Sequence, residues 1–201
     1  MKCVYRKLKE SITDTSFPVL PIIEEKSYFY QTEASQSVDI SALLPQTLRF
    51  SEIKVEAICK AATLDAGYNN EPAVYLRGGT ILVGFSGTDY RVILDSKSVS
   101  AAATLNRDYD MVADGYNNVI TIDGVTTSGT TVSTSTIREG RLLGGTSLDF
   151  LVKVKEVKLT DMINDVLIAD LVPAVLNGEG IVYDKVSGVA LRPSSGTLGI
   201  D

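Results

Sequence analysis

Apolar residues recur at every second position in several stretches of this chain, and almost nowhere at the three-and-four spacing of a helix. Ile53, Val55 and Ala57 alternate with Lys54 and Glu56, the pattern of a strand with one face buried and the other wet. Tyr90, Val92 and Leu94 repeat it, and Val152, Val154 and Val157 alternate with Lys153, Lys155 and Lys158. Ile81-Leu82-Val83-Gly84-Phe85 is apolar on both faces, as befits a strand in the middle of a sheet. Turn residues punctuate these runs at Gly67, Gly78-Gly79, Gly87, Asp114-Gly115, Asp123-Gly124, Gly144-Gly145 and Asn177-Gly178. Ser128–Thr136 reads as an exposed strand or loop, and only Thr160–Asn164 suggests a helical turn. The spacing predicts an all-β sandwich of two antiparallel sheets.

Composition agrees: Val, Ile and Thr fill 54 of 201 positions, and β-branched side chains suit a pleated surface better than a helix. Residues 1–27 stand apart from the sandwich at 28–201. Lys2–Glu10 could form a short helix, and Pro18 and Pro21 then impose a mostly extended path. Lys2, Arg6, Lys7 and Lys9 against Glu10 give the first ten residues a net of +3, so the other 191 sum to −9. A basic arm on an acidic body suits docking on a neighbour's acidic surface. The whole chain, at net −6 and pI near 4.8, lacks the positive field that nucleic acid demands. Charge continues through Glu10 with no apolar run behind it, which is unlike a signal peptide. Asp170 and Pro173 interrupt the most apolar stretch, Val166–Leu176, so no membrane span is expected.

The chain has no His, which removes Ser-His-Asp and Cys-His nucleophile systems and His-based metal sites. Cys3 and Cys59 read as free thiols. The nearest approach to a glycosidase pair is Glu52 and Glu56, placed on an outward strand face, whereas retaining chemistry needs two carboxyls about 5–5.5 Å apart across one site. Gly140–Ser147 nearly spells a P-loop but has Thr146 where the Lys must stand, and reads as a turn. The expectation is therefore a non-enzymatic chain with no catalytic residues, no cofactor and no metal. Two copies of a Tyr-Asn-Asn phrase, Tyr68-Asn69-Asn70 and Tyr116-Asn117-Asn118, are candidate glycan loops, a Tyr face stacking on a sugar while amides meet hydroxyls. Oxygen-rich clusters at Asp65, Asn69, Asn70 and Glu71, and at Asp110, Asp114, Asn117 and Asn118, could attract Ca²⁺; structural turns are the favoured reading. The stripe Lys153, Lys155 and Lys158 reads as the guard of an edge strand.

The C-terminal third carries a more specific signal. Leu151–Asp161 (LVKVKEVKLTD) is followed by Ala169-Asp170-Leu171-Val172-Pro173, then by Gly180–Gly188 (GIVYDKVSG) and Ser195-Gly196-Thr197. This resembles the ending of LamG-like, concanavalin A-like jelly-roll domains encoded in gut-bacterial prophages and their relatives. Tyr30–Ile40, with Gln36, Val38 and Asp39, is similar to the family's opening strand. Phe50–Ile58 looks like the long strand after it, and Val119–Gly124 like its Ile-x-Ile-Asp-Gly hairpin. The resemblance implies a two-sheet concanavalin A-like jelly roll over residues 28–201. The fold hosts lectins, glycosidases, capsid parts and adhesins alike; with the basic arm and no signal-peptide pattern, the expectation is a bacteriophage virion structural protein, a head decoration or a tail or fibre appendage. Such a protein would be anchored by its arm, assembled in the host bacterial cytoplasm beside other virion proteins as a homo-oligomeric dimer or trimer, and able to contact host glycans. The rival reading is a free or cell-surface carbohydrate-binding module.

Overall fold

The computed structural model describes residues 23–67, 71–78, 80–129, 132–145 and 149–201. Its strands, in chain order, are β1 (Ile23–Glu25), β2 (Phe29–Tyr30), β3 (Ser37–Asp39), β4 (Ile53–Ala61), β5 (Glu71–Arg77), β6 (Ile81–Ser86), β7 (Asp89–Leu94), β8 (Lys97–Ala102), β9 (Tyr109–Asp114), β10 (Val119–Ile122), β11 (Val125–Ser128), β12 (Glu139–Leu143), β13 (Val152–Asp161), β14 (Val166–Leu176), β15 (Glu179–Asp184), β16 (Ala190–Leu191) and β17 (Gly199–Ile200). The larger sheet runs β11-β10-β9-β4-β13-β14-β15-β16, with β1 on β14, β2 on β13 and β17 on β2; the smaller runs β3-β12-β5-β6-β7-β8. Both are antiparallel and pack as a sandwich, the all-β architecture that the alternation predicts, and one consistent with the jelly roll that the resemblance implies.

The core lies between the inward positions of the two sheets. Val55, Ala57 and Cys59 of β4 and Val154, Val157 and Leu159 of β13 face Val74, Leu76, Val83, Phe85 and Val92. Each large apolar side chain so buried contributes about 1.5–3 kcal/mol. The Phe85 ring meets the Tyr109 ring edge-on, 6.1 Å between centroids, and the Tyr109 hydroxyl accepts from the Thr104 amide at 2.8 Å. Cys59 is fully enclosed, and burial, with a smaller effect from Asp108, pushes its thiol far above the usual range. A thiol so protonated is unreactive. Cys3 lies outside the described residues.

Extra residues rephase three strands. In β13, Val154 pairs with Cys59 and Glu156 with Ile58, leaving Lys155 as a bulge. The bulge explains why the apolar positions step by three from Val154 to Val157 and still point inward. A bulge at Ile168 does the same in β14, and one at Ala73 presses β5 against β6. A Cβ on Gly84 would sit 2.4 Å from the Glu71 carbonyl oxygen, which accounts for a glycine in this fully buried central strand. The Lys153–Lys158 stripe does not guard an edge, because β13 lies between β4 and β14; its lysines point from the outer face of a central strand. Thr160–Asn164 is no helix either. It finishes β13 and enters the hairpin to β14, where the Asp161 carboxylate accepts from the amides of Ile163 and Asn164.

β14 changes partner along its length. Its lower part, Val166–Leu171, pairs with β13, and its upper part, Ala174–Leu176, pairs with β1. Pro173 falls at the change. The Lys26 amide donates to its carbonyl at 2.9 Å, so its N–H-less nitrogen faces the gap where no acceptor waits. Residues 23–25, inside the segment read as an arm, thus run as a sheet strand. Lys2, Arg6, Lys7 and Lys9 lie outside the described residues.

The phrases that carried the family resemblance meet in space. Gln36 is fully buried; its amide nitrogen donates to the carbonyls of Ser195 (2.6 Å) and Thr197 (3.3 Å), and its oxygen accepts from the Thr32 amide. Asp184, also fully buried, accepts from the amides of Asp170, Val186 and Ser187 and from the Ser187 hydroxyl. Gly188 closes that turn with φ +74°, where a side chain would be strained.

Burial alone would raise the Asp184 carboxyl, but the Ser187 hydroxyl and the three amides outweigh it and hold it below its ordinary value. A carboxyl depressed by folding contributes stability above its unfolded pKa and loses it as pH falls through the folded one. Asp184→Ala is therefore expected to cost about 2–4 kcal/mol at neutral pH. In urea titrations its deficit against wild type should narrow below pH 4; a constant gap would refute the ionised cap. Gly115→Ala should fail to fold to a native urea midpoint, since its Cβ would lie 1.8 Å from the Phe50 carbonyl oxygen.

Candidate functional site

Strand alternation fixes what each sheet shows to solvent. On the smaller sheet the pairings Asp39–Arg141, Arg141–Tyr75, Tyr75–Leu82, Leu82–Ile93 and Ile93–Ser98 run in one unbroken line across all six strands. Directly paired residues share a face, so these six side chains form a single row. The row lies outside, because Leu76, Ile81, Val83, Val92 and Leu142 take the inward positions. Its centre is apolar, with Leu82 only 4% exposed beneath its neighbours. Its flank is polar.

At the β3–β12–β5 end the row forms a cleft of about 180 Å³ lined by Ser37, Asp39, Ser41, Tyr75, Glu139 and Arg141. The Arg141 guanidinium lies over the Tyr75 ring, 4.9 Å from its centroid, which fixes a flat cationic plate beside an aromatic face. The Ser41 hydroxyl and amide hold the Asp39 carboxyl below its ordinary value against a smaller opposing effect of burial. The Ser41 hydroxyl also accepts from the Gly140 amide at 3.0 Å. Glu139 pairs with Arg77 at 3.3 Å. The cleft therefore offers one stacking surface, fixed carboxylate acceptors and a guanidinium donor. That equipment suits binding a polar, flat-faced ligand.

The outer face of the larger sheet is different. Lys54–Glu56 (3.0 Å), Lys158–Glu156 (2.8 Å), Lys155–Asp108 (3.9 Å) and Lys153–Asp201 tile it with alternating charge. No field of one sign develops there. Glu52 is not on the strand face with Glu56; it closes a 3-10 turn before β4 and accepts from the Arg49 amide.

Tyr116 is 52% exposed at the tip of the β9–β10 hairpin, but the amide of Asn117 beside it is occupied. The Asn117 backbone and side-chain nitrogens both donate to Asp114, at 2.8 and 2.7 Å. Asn118 takes φ +56° and its side-chain oxygen is buried, close enough to Gly129 that a Cβ there would stand 2.3 Å away. The β13–β14 hairpin repeats the device with no Tyr: Asn164 donates to Asp161 at 2.7 Å and Asp165 takes φ +53°. The Asp-x-x-Asn phrase is hairpin construction. Tyr68, Asn69 and Asn70 lie outside the described residues. Glu71, the next described residue, pairs with Phe85 at the upper end of the smaller sheet, whereas Tyr116 sits at the lower end, where β4 begins.

Among the described residues no group of three or more Asp, Glu or Cys could hold a metal ion. Asp65 accepts from the Gly67 amide, and Glu71 is buried beneath Gly145. Gly140–Leu143 is strand rather than turn. Its glycine serves packing, since a Cβ would meet Ile40 and Leu44 at 2.9 Å; Thr146 and Ser147 lie outside the described residues. Sequence reasoning missed Tyr75 and Arg141. They stand 66 positions apart, and only the placement of β12 beside β5 joins them. The available signal was weak: a polar or aromatic side chain at alternate positions in Val74-Tyr75-Leu76 and Gly140-Arg141-Leu142.

No family model and no curated protein matches this chain. Among solved structures, it is similar over 53% of its length to a mutant of Trypanosoma rangeli sialidase displaying trans-sialidase activity, at 18% identity and a TM-score of 0.36. The match spans only 20% of that chain. A likeness this weak defines neither fold nor function. The class defined by the fold is an all-β, two-sheet antiparallel sandwich, and no helix among the described residues is long and apolar enough to cross a membrane.

Asn117→Ala is expected to cost about 1 kcal/mol by the loss of its bond to Asp114, while Tyr116→Ala stays within about 0.5 kcal/mol. Urea midpoints of the two variants check this; equal and negligible losses would restore Asn117 as a free, ligand-facing amide.

Proposed function

We propose that this chain is a non-enzymatic structural protein of a bacteriophage particle, a head decoration or a tail or fibre appendage, attached through residues preceding the sandwich. The observation that carries the reading is the polarity of the sandwich. β1 pairs Ile23 with Leu176 at the upper end, so the preceding segment, basic in sequence, joins the body there. Tyr116, Ile163, Val166, Leu167, Val186 and Val189 are exposed on hairpins at the lower end. Six of the eight large apolar side chains exposed among the described residues thus gather opposite the attachment point, as suits a part fixed at one end and presented at the other. The resemblance of the C-terminal phrases supplies the phage context. The absence of His and of a carboxylate pair in the sequence supports a non-enzymatic role.

The cleft at Tyr75 and Arg141 favours a second reading, a carbohydrate-binding module, and it would equally serve a phage part that touches host glycans. Antibody against this chain, used in immunogold microscopy of phage-like particles from the source culture, should label one fixed place on the particle. Deleting residues 1–22 keeps β1 and should leave the fold intact while abolishing incorporation. Unlabelled particles, together with glycan-array binding that Tyr75→Ala lowers at least tenfold, would overturn the particle reading in favour of the module.

A further inference from the structure

We infer that two copies of this chain join through β8, edge to edge, into one continuous twelve-stranded sheet. The inference goes beyond the role proposed above and holds whether or not the chain belongs to a particle. β8 ends the smaller sheet and pairs only with β7. The Ala103 amide donates to the Thr88 carbonyl on the β7 side. Backbone groups alternate along a strand, so Lys97, Val99 and Ala101 turn their N–H and C=O toward β7, and Ser98, Ser100 and Ala102 turn theirs away. Those three residues are exposed. They carry no charge, no proline and no bulge, the devices that ordinarily close an edge to pairing.

The edge is complementary to itself. Facing residues must share a sheet face, so a twofold axis normal to the sheet has to pass through a residue and not between two. An axis at Ser100 sets Ser100 against its own copy, Ser98 against the partner's Ala102, and Ala102 against the partner's Ser98. Every open N–H and C=O of the three residues then finds a partner. An axis at Val99 would leave those of Ala102 unused. On the inner face the same register brings Val99 against the partner's Ala101, small apolar groups that continue the core across the seam.

Charge fits as well. Arg91 turns toward the edge, its Nε donating to the Ser98 hydroxyl at 3.2 Å. Ser98 would face the partner's Ala102, whose neighbour within its own sheet is Asp89. Arg91 therefore approaches the partner's Asp89 across two small side chains, and symmetry repeats the pair. Lys97 would face only the partner's Ala103. The larger sheet ends at the same margin, since β7 packs over β9 and β10, and its last strand β11 shows Val125 73% exposed.

Sedimentation velocity on the full chain, from micromolar to near-millimolar concentration, should show a dimer. Ser100→Pro removes an N–H that its own ladder does not use and should sediment as a monomer with an unchanged far-ultraviolet spectrum. Should that variant fail to fold, charge decides: Arg91→Asp should be monomeric, and adding Asp89→Arg should restore the dimer. In a Cys3→Ser background, Ser100→Cys should give a disulfide-linked dimer on mild oxidation, because the axis holds its two copies at about 5.5 Å between Cα atoms, within disulfide reach. Val99→Cys should not. A wild-type monomer at every concentration, a dimer indifferent to Ser100→Pro and to Arg91→Asp, or cross-linking through position 99 in place of 100 would overturn the proposal.

Discussion

A buried amide holds the two ends of the described chain together. Gln36 has no exposed surface, and a polar group so placed is tolerated only when its hydrogen-bonding capacity is met. It is met by Thr32 before it and by the carbonyls of Ser195 and Thr197 near the C-terminus. The last residues can therefore not leave the sandwich without stranding a buried donor. With the tail held, Thr197 accepts from the Gly180 amide and β17 pairs with β2, which in turn pairs with β13 at the centre of the larger sheet. The opening and closing phrases of the sequence are thus explained as parts of one clasp.

The second constraint is the parity of side chains along a strand. A single extra residue would turn every later side chain to the wrong face, and this chain uses that fact. Lys155 absorbs one residue in β13, so that Val157 and Leu159 return to the core while Lys158 returns to solvent. Ala73 does the same in β5, at the cost of crowding that only Gly84 accommodates. Pro173 occupies the place in β14 where one partner strand gives way to another and an amide has no use.

With parity settled, the two outer faces acquire different characters from the same rule. On the larger sheet, outward lysines meet carboxylates two residues away on the same strand or just beyond the ends of neighbouring strands, and the face becomes a neutralised mosaic. On the smaller, Tyr75, Leu82 and Ile93 fall into register with Arg141 and Asp39 at one side and the small residues of β8 at the other. One end of that row is a cleft equipped for binding. The other end is an open edge.

The sequence by itself determined the fold class, because side-chain alternation and turn residues are local and their physics does not depend on distant strands. It also marked Asp114-Gly115 and Asn177-Gly178 as turns, whereas the step of three from Val154 to Val157 passes for plain alternation and the bulge in β13 appears only in the strand pairing. It overvalued Asn117, since a hairpin that spends its own amide looks, in one dimension, like a loop offering it. Only the tertiary structure decided that β13 is central, so that its lysines are partners of carboxylates and not guards of an edge. It alone brought Arg141 onto Tyr75, and Gln36 onto Thr197. Strand order is set by which apolar faces bury best together across long loops, and nothing in the local pattern of either strand records its neighbour.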